Sequence, residues 1–167
     1  ERILPYIGGE EVNDSPTHAF HRYVIDFDDL DETEAARWPE LLEIVRAKVK
    51  PYRDTVNRDA HRKRWWLYGE RRPGLRAALV GKSRVLVCSL HQQFWLLTFL
   101  PSRLIFSHGL GTFAFESFAA LAVLQSRGHE VWARCFASSL EDRLRYTPSD
   151  CFETFPFPVG FEANQLL

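Results

Sequence analysis

Methionine is missing from all 167 positions, the first included. A full-length chain ordinarily begins with one, so the sequence is expected to be a piece cut from a longer polypeptide. No apolar run approaches the ~20 residues that a membrane-spanning helix requires, and the charged start, Glu1-Arg2, is not that of a secretory signal. Internal repeats and low-complexity linkers are lacking too. The three cysteines, Cys88, Cys135 and Cys151, have no paired spacing. Reduced thiols in a cytoplasmic protein are therefore expected. Ligand spacing for zinc is also missing, since a closed structural site takes four ligands. The six histidines, the His18/His21 pair among them, read as surface residues. The two glycines of "GLGTF" lack the strand and helix that flank a phosphate loop, and no cofactor fingerprint is found.

What is present describes a globular chain: 46% of residues are hydrophobic and 14% aromatic. Its length suits one domain over 1–167. The net charge of −1 hides an asymmetry. Residues 1–45 hold 12 acidic and 3 basic side chains, whereas residues 46–84 hold 13 basic and 3 acidic ones. Such a basic block suits a polyanion-binding face. It would equally serve to neutralise the acidic first third.

The pattern of apolar residues gives an α+β class: N-terminal helices, then an antiparallel sheet, a long helix and an extended C-terminal segment. Residues 1–22 carry turn signals and read as irregular. "RYVIDF" alternates as a strand does. Asp31 and Glu34 form a capping box for a short helix that Pro39 ends. Leu41, Leu42, Val45 and Val49 then share one helical face, and Pro51 stops that helix. A third helix is expected from about Thr55 to Tyr68, and a fourth at "PGLRAALVG". "RVLVCSL", "FWLLTFL", "RLIFSH" and "GTFAF" suggest a β-meander. "ESFAALAVLQSRGHEVWARCFAS" reads as one long helix or two pieces parted near Gly128.

Three groups of residues are candidates for chemistry. Asp26, Asp28, Asp29 and Asp31 could hold a metal as nuclease sites do. A strand–helix junction with one capping aspartate accounts for them better, so no metal site is assigned. Cys88 lies in an apolar stretch and reads as a small core residue. In "RKRWWLYGERRPGLR", Arg62, Lys63, Arg64 and Arg72 are candidates for nucleic-acid phosphate contacts, while Trp65 and Trp66 read as core. In "SSLEDRLRYTP", Glu141, Arg143 and Arg145 alternate. On a strand they would stand in one row, about 7 Å between neighbours. Arginine can donate two hydrogen bonds to guanine, and glutamate can accept from cytosine. The row is either a base-reading edge or an ion-pair ladder.

Taken in order, "RYVIDFDD", "PELLEIVRAKVKPYRD", "RKRWWLYGERRPGLRAAL" and "LRYTPSDCFETFPFP" resemble the target recognition domain of MmeI-like (type IIL) restriction–modification proteins. Related combined adenine methyltransferases, some in phage defence, are similar. The resemblance implies a bacterial, cytoplasmic reader of double-stranded DNA, joined to an adenine-N6 methyltransferase domain of the same polypeptide. It implies base readers at Glu141, Arg143 and Arg145, with further ones at Gln92, Gln93 and His108 in two other variable loops. The Asn/Asp-Pro-Pro-aromatic motif, the glycine motif for S-adenosylmethionine and the Asp…Glu-x-Lys nuclease module do not occur here. This chain alone is therefore expected to lack catalysis and cofactor, with S-adenosylmethionine belonging to the catalytic domain. A small metal-dependent nuclease and a protein-interaction module with a basic docking face are the alternatives.

Overall fold

The computed structural model describes residues 1–69, 71–140 and 143–163. They form two compact units, one of Glu1–Leu4 with Tyr23–Pro73 and one of Pro5–Arg22 with Gly74 onward. The chain begins with β1 (Ile3–Ile7), α1 (Gly9–Asp14) and β2 (Arg22–Ile25), followed by α2 (Glu32–Ala35), α3 (Pro39–Lys48), α4 (Lys50–Thr55), α5 (Asp59–Lys63) and α6 (Pro73–Leu79). Five short strands come next: β3 (Arg84–Ser89), β4 (His91–Gln92), β5 (Thr98–Pro101), β6 (Ile105–Phe106) and β7 (Leu110–Phe113). The last elements are α7 (Phe118–Leu124), α8 (Arg127–Phe136), β8 (Ser138–Leu140), β9 (Arg143–Arg145), α9 (Pro148–Cys151) and a 3-10 turn at Phe161–Ala163. The class is α+β, as the sequence implies.

The first unit is helical and closes on an aromatic core of Phe27, Ala35, Leu42, Val45, Trp65, Trp66 and Leu67. Full burial of a side chain such as Phe27 contributes about 1.5–3 kcal/mol. The capping box forms: Asp31 Oδ1 accepts from the Glu34 N–H at 2.8 Å, and Glu34 Oε2 accepts from the Asp31 N–H at 3.1 Å. Trp38 then serves as the N-cap of α3, with Pro39 in its first turn. Pro51 lies just past the end of α3 at Lys48, as the sequence implies. It sits in the first turn of α4, where a missing N–H costs little. The expected third helix is broken, because Val56 and Arg58 are extended and α5 stops at Lys63. Trp65, Trp66 and Leu67 are consecutive and all buried. A regular helix cannot turn three successive residues to one side, and the chain leaves the helix to bury them.

The second unit is built around β3. Leu86 and Cys88 enter one hydrophobic cluster, Val85 and Val87 another, so both faces of the strand are covered. A strand buried on both faces reads as a continuous apolar run, which is what "VLVC" is. β3 pairs antiparallel with β5 on one side and β7 on the other, giving the order β5-β3-β7. A sequential meander is therefore not what forms. β6 leaves this sheet and pairs in parallel with β1, with Tyr6 opposite Ile105 and Ile7 opposite Phe106. Residues 1–22, expected to be irregular, contain β1 and α1. The long alanine-rich stretch is two helices. Ser126 separates them by capping α8, its Oγ accepting from the His129 N–H at 3.2 Å. A third small sheet has the order β4-β9-β8, all antiparallel.

Candidate nucleic-acid interface

Strand β9 of the β8–β9 pair carries two of the alternating charges, Arg143 and Arg145. Leu140 pairs with Arg143, Ser139 with Leu144 and Ser138 with Arg145, while His91 of β4 lies opposite Arg145 on the other side. Leu144 and Tyr146 are buried and Arg145 is exposed. Glu141 lies outside the described residues. Arg143 is described through its backbone, as the first residue of β9. The Leu90 N–H donates to the Gly109 carbonyl at 2.8 Å, and the Tyr146 N–H donates to the Leu90 carbonyl at 2.9 Å. These two bonds lace together the segments at 107–109, 90–93 and 143–146. Three segments distant in sequence thus meet in one place. Gln93 and His108 are exposed there. Gln92 is buried, and its Oε1 accepts from the Leu96 N–H at 3.2 Å.

Two buried polar clusters back this edge, and the sequence pointed to neither. In the first, Tyr146 stacks on Trp95 with ring centroids 4.6 Å apart, and its hydroxyl lies 3.0 Å from His129 Nε2. Trp95 Nε1 donates to the Leu124 carbonyl at 2.7 Å. His129 is fully buried, against the expectation of surface histidines. Burial pushes its pKa down to about 4, so the ring is neutral at neutral pH. Burial likewise raises the Tyr146 phenol. The signal was available: His129, Trp132, Ala133 and Phe136 recur at helical one-face spacing behind the Ser126 cap.

The second cluster holds Glu11, a buried carboxylate. It accepts from Arg22 Nε at 2.8 Å and from the Gly8 N–H at 2.9 Å. Burial alone would raise this carboxyl, but the Arg22 guanidinium and the backbone N–H groups hold it below its ordinary value. A Cβ at position 8 would stand 2.9 Å from Arg22 Nη2, so a larger residue there would push the guanidinium aside. Beyond it, Asn13 Nδ2 donates to Ser89 Oγ at 3.3 Å and to the His91 carbonyl at 3.4 Å. Helix α1 thus braces the start of β4.

The phosphate candidates lie in the first unit. Arg62 pairs with Asp59, three residues back on α5. Lys63 and Arg64 are exposed at the end of that helix. Arg72 is half-buried, with a left-handed φ of 44° immediately before Pro73. Trp65 and Trp66 are core, as the sequence implies, and Trp66 Nε1 donates to the Leu30 carbonyl at 3.0 Å.

The aspartate cluster is spent on local structure. Asp26 is buried and accepts from the Asp28 N–H at 2.9 Å, Asp29 pairs with Arg71, and Asp31 caps α2. Among the described residues no three His, Cys, Asp or Glu side chains gather to hold a metal ion. Cys88 is a buried thiol in the core, its pKa pushed up to about 12 by burial. Among the described residues no helix is long and apolar enough to cross a membrane.

The family model "MmeI, target recognition domain" matches residues 1–159. The chain is also similar to a solved structure described as type IIL restriction-modification enzyme MmeI in complex with DNA. The two share 20% identity at a TM-score of 0.68. That match covers 94% of this chain and 20% of the other, so the chain spans about one fifth of the enzyme's length. No curated protein matches the chain.

Proposed function

Because the chain belongs to the MmeI target recognition domain family, we propose that it reads the base sequence of double-stranded DNA for a type IIL restriction–modification enzyme. The reading edge is β9, whose Arg143 and Arg145 address base edges in the major groove, with Glu141 as a third reader two residues earlier in the sequence and Gln93 and His108 as further readers. Gln92, whose Oε1 accepts from the Leu96 N–H, contributes by holding the loop. Arg62, Lys63, Arg64 and Arg72 take phosphates. The chain contributes no catalysis. It positions a target adenine for an N6-methyltransferase domain of the same polypeptide, where S-adenosylmethionine would bind, in a bacterial cytoplasmic system that serves phage defence.

The observation that carries this reading is the lacing of 90–93, 107–109 and 143–146 into one place through Leu90. Base discrimination needs several side chains held in fixed register, because each bidentate contact tolerates little displacement. A phosphate contact imposes no such demand. The test is selection of bound duplexes from a randomised pool. A defined motif of several base pairs is the expected result. Equal recovery of all sequences would leave a sequence-blind basic docking module in its place.

A further inference from the structure

One feature of the first unit is not accounted for by base reading or by its own packing. A cleft of about 190 Å³ is lined by Arg53, His61, Arg64, Tyr68, Gly69 and Arg71, among others, and no carboxylate is among its described lining residues. Arg53 is half-buried, and Nη1 donates to His61 Nδ1 at 2.5 Å. It forms no ion pair among the described residues. The Arg64 guanidinium, on the same cleft, makes neither hydrogen bond nor ion pair among them. Arg71 differs, since Asp29 already shares its charge. Among the described residues this half-buried cation faces an imidazole and no carboxylate, and removing charge from water is costly without a counter-charge.

The local geometry holds this imbalance in place. Gly69 lies against Arg53, where a Cβ would stand 2.7 Å from Nη2. The absent side chain leaves room for the guanidinium at the wall of the cleft. Burial, with Arg53 and Arg58 nearby, lowers the His61 pKa. A neutral ring can accept the Arg53 hydrogen bond and brings no charge to offset the arginine's. Guanidinium groups have a planar fork of donors that suits phosphate oxygens.

We propose that this cleft, through Arg53 and Arg64, binds one phosphate of the DNA backbone. The inference rests on the reading of the chain as a DNA-binding domain and adds to it a specific clamp that carries no sequence information. The same oxyanion chemistry could come from a free phosphate, and the experiment separates the two sources.

The test compares the salt dependence of duplex binding for the wild-type chain and for Arg53→Gln, Arg64→Gln and Gly69→Ala. Arg127→Gln, which removes an exposed charge elsewhere, is the control. Circular dichroism confirms the fold of each variant. Removing one cation from a phosphate reduces the slope of log K against log salt by about 0.9. Arg53→Gln and Arg64→Gln are expected to show that reduction with an unchanged selected motif, and Arg127→Gln to show none. Gly69→Ala removes no charge but displaces Arg53, and is expected to lower the slope as well. Unchanged slopes in both arginine variants would overturn the proposal even where the selected motif persists. Loss of sequence selectivity in the wild type would overturn the base-reading function and leave the clamp standing if the slopes still fall. Titration with inorganic phosphate is the second arm. Saturation that depends on Arg53, alongside unchanged duplex slopes, would make the cleft a free-anion site and contradict the assignment to DNA.

Discussion

The two units differ in how many polar side chains they bury: among the described residues the first buries Asp26, the second Glu11, Ser89, Gln92, Ser107 and His129. The first keeps an aromatic core of Trp65, Trp66 and Phe27 and carries Arg58, Arg62, Lys63 and Arg64 on its exposed surface. The second buries polar side chains: Glu11 with Arg22, Tyr146 with His129, and Ser89 beneath the His91 carbonyl. A surface cation reaches a phosphate from many rotamers, and the resulting attraction is screened by salt. A buried, hydrogen-bonded side chain has one position. It can therefore hold a strand edge in register, as base reading demands. Affinity is thereby assigned to the first unit and specificity to the second.

Truncation within the second unit has the largest expected effect. Tyr146→Ala empties a buried site stacked on Trp95 and orphans His129, so stability should fall by about 3–5 kcal/mol, measured by urea denaturation. A loss under 1 kcal/mol would show that the backing of β9 is not rigid.

A pH dependence follows from the same cluster. His129 ionises near 4 when folded, against 6.5 for an ordinary histidine. Above pH 6.5 both folded and unfolded forms are neutral there, and its contribution is complete. As pH falls from 6.5 towards 4 only the unfolded chain takes up the proton, so stability declines; below 4 both carry it and the decline ends. The urea midpoint should drop between pH 7 and pH 5 in the wild type, and drop less in His129→Gln. Parallel declines would place the titration elsewhere.

The first unit should respond locally. Asp31→Ala removes the α2 cap and should cost about 1 kcal/mol in denaturation while leaving the selected DNA motif untouched. A changed motif would blur the division between the units. The smallest effect is expected at Arg62, already paired with Asp59. Arg62→Ala should weaken binding to all duplexes alike and lower the salt slope by about one. A sequence-dependent loss would make it a base reader.

Local signals in the sequence were well kept. Asp31 and Glu34 reciprocate their hydrogen bonds, Pro39 opens α3, and the tryptophans are core, because each depends on neighbours within a turn or two. Features set by distant contacts were not legible. β3 lies between β5 and β7, and β6 joins β1, since strand order is decided by pairing partners far along the chain. α5 stops short because three consecutive residues must be buried, which overrides helix propensity. At the site, the alternation of Arg143 and Arg145 about Leu144 was visible as a strand pattern. The helical face that buries His129 was legible in its spacing, but its pairing with Tyr146 behind β9, and the bracing of His91 by α1, come from folding and leave no local trace.

The most direct test of the division is to change Glu141 and Arg143 together to alanine and to select bound duplexes from a randomised pool. Loss of a bidentate contact removes about 1–3 kcal/mol of discrimination at the base it reads. A relaxed or altered base is expected at one position of the motif, with the other positions and the salt slope on non-specific DNA retained. The same motif recovered at undiminished affinity would make the alternating charges an ion-pair ladder, and would contradict the assignment of specificity to this edge.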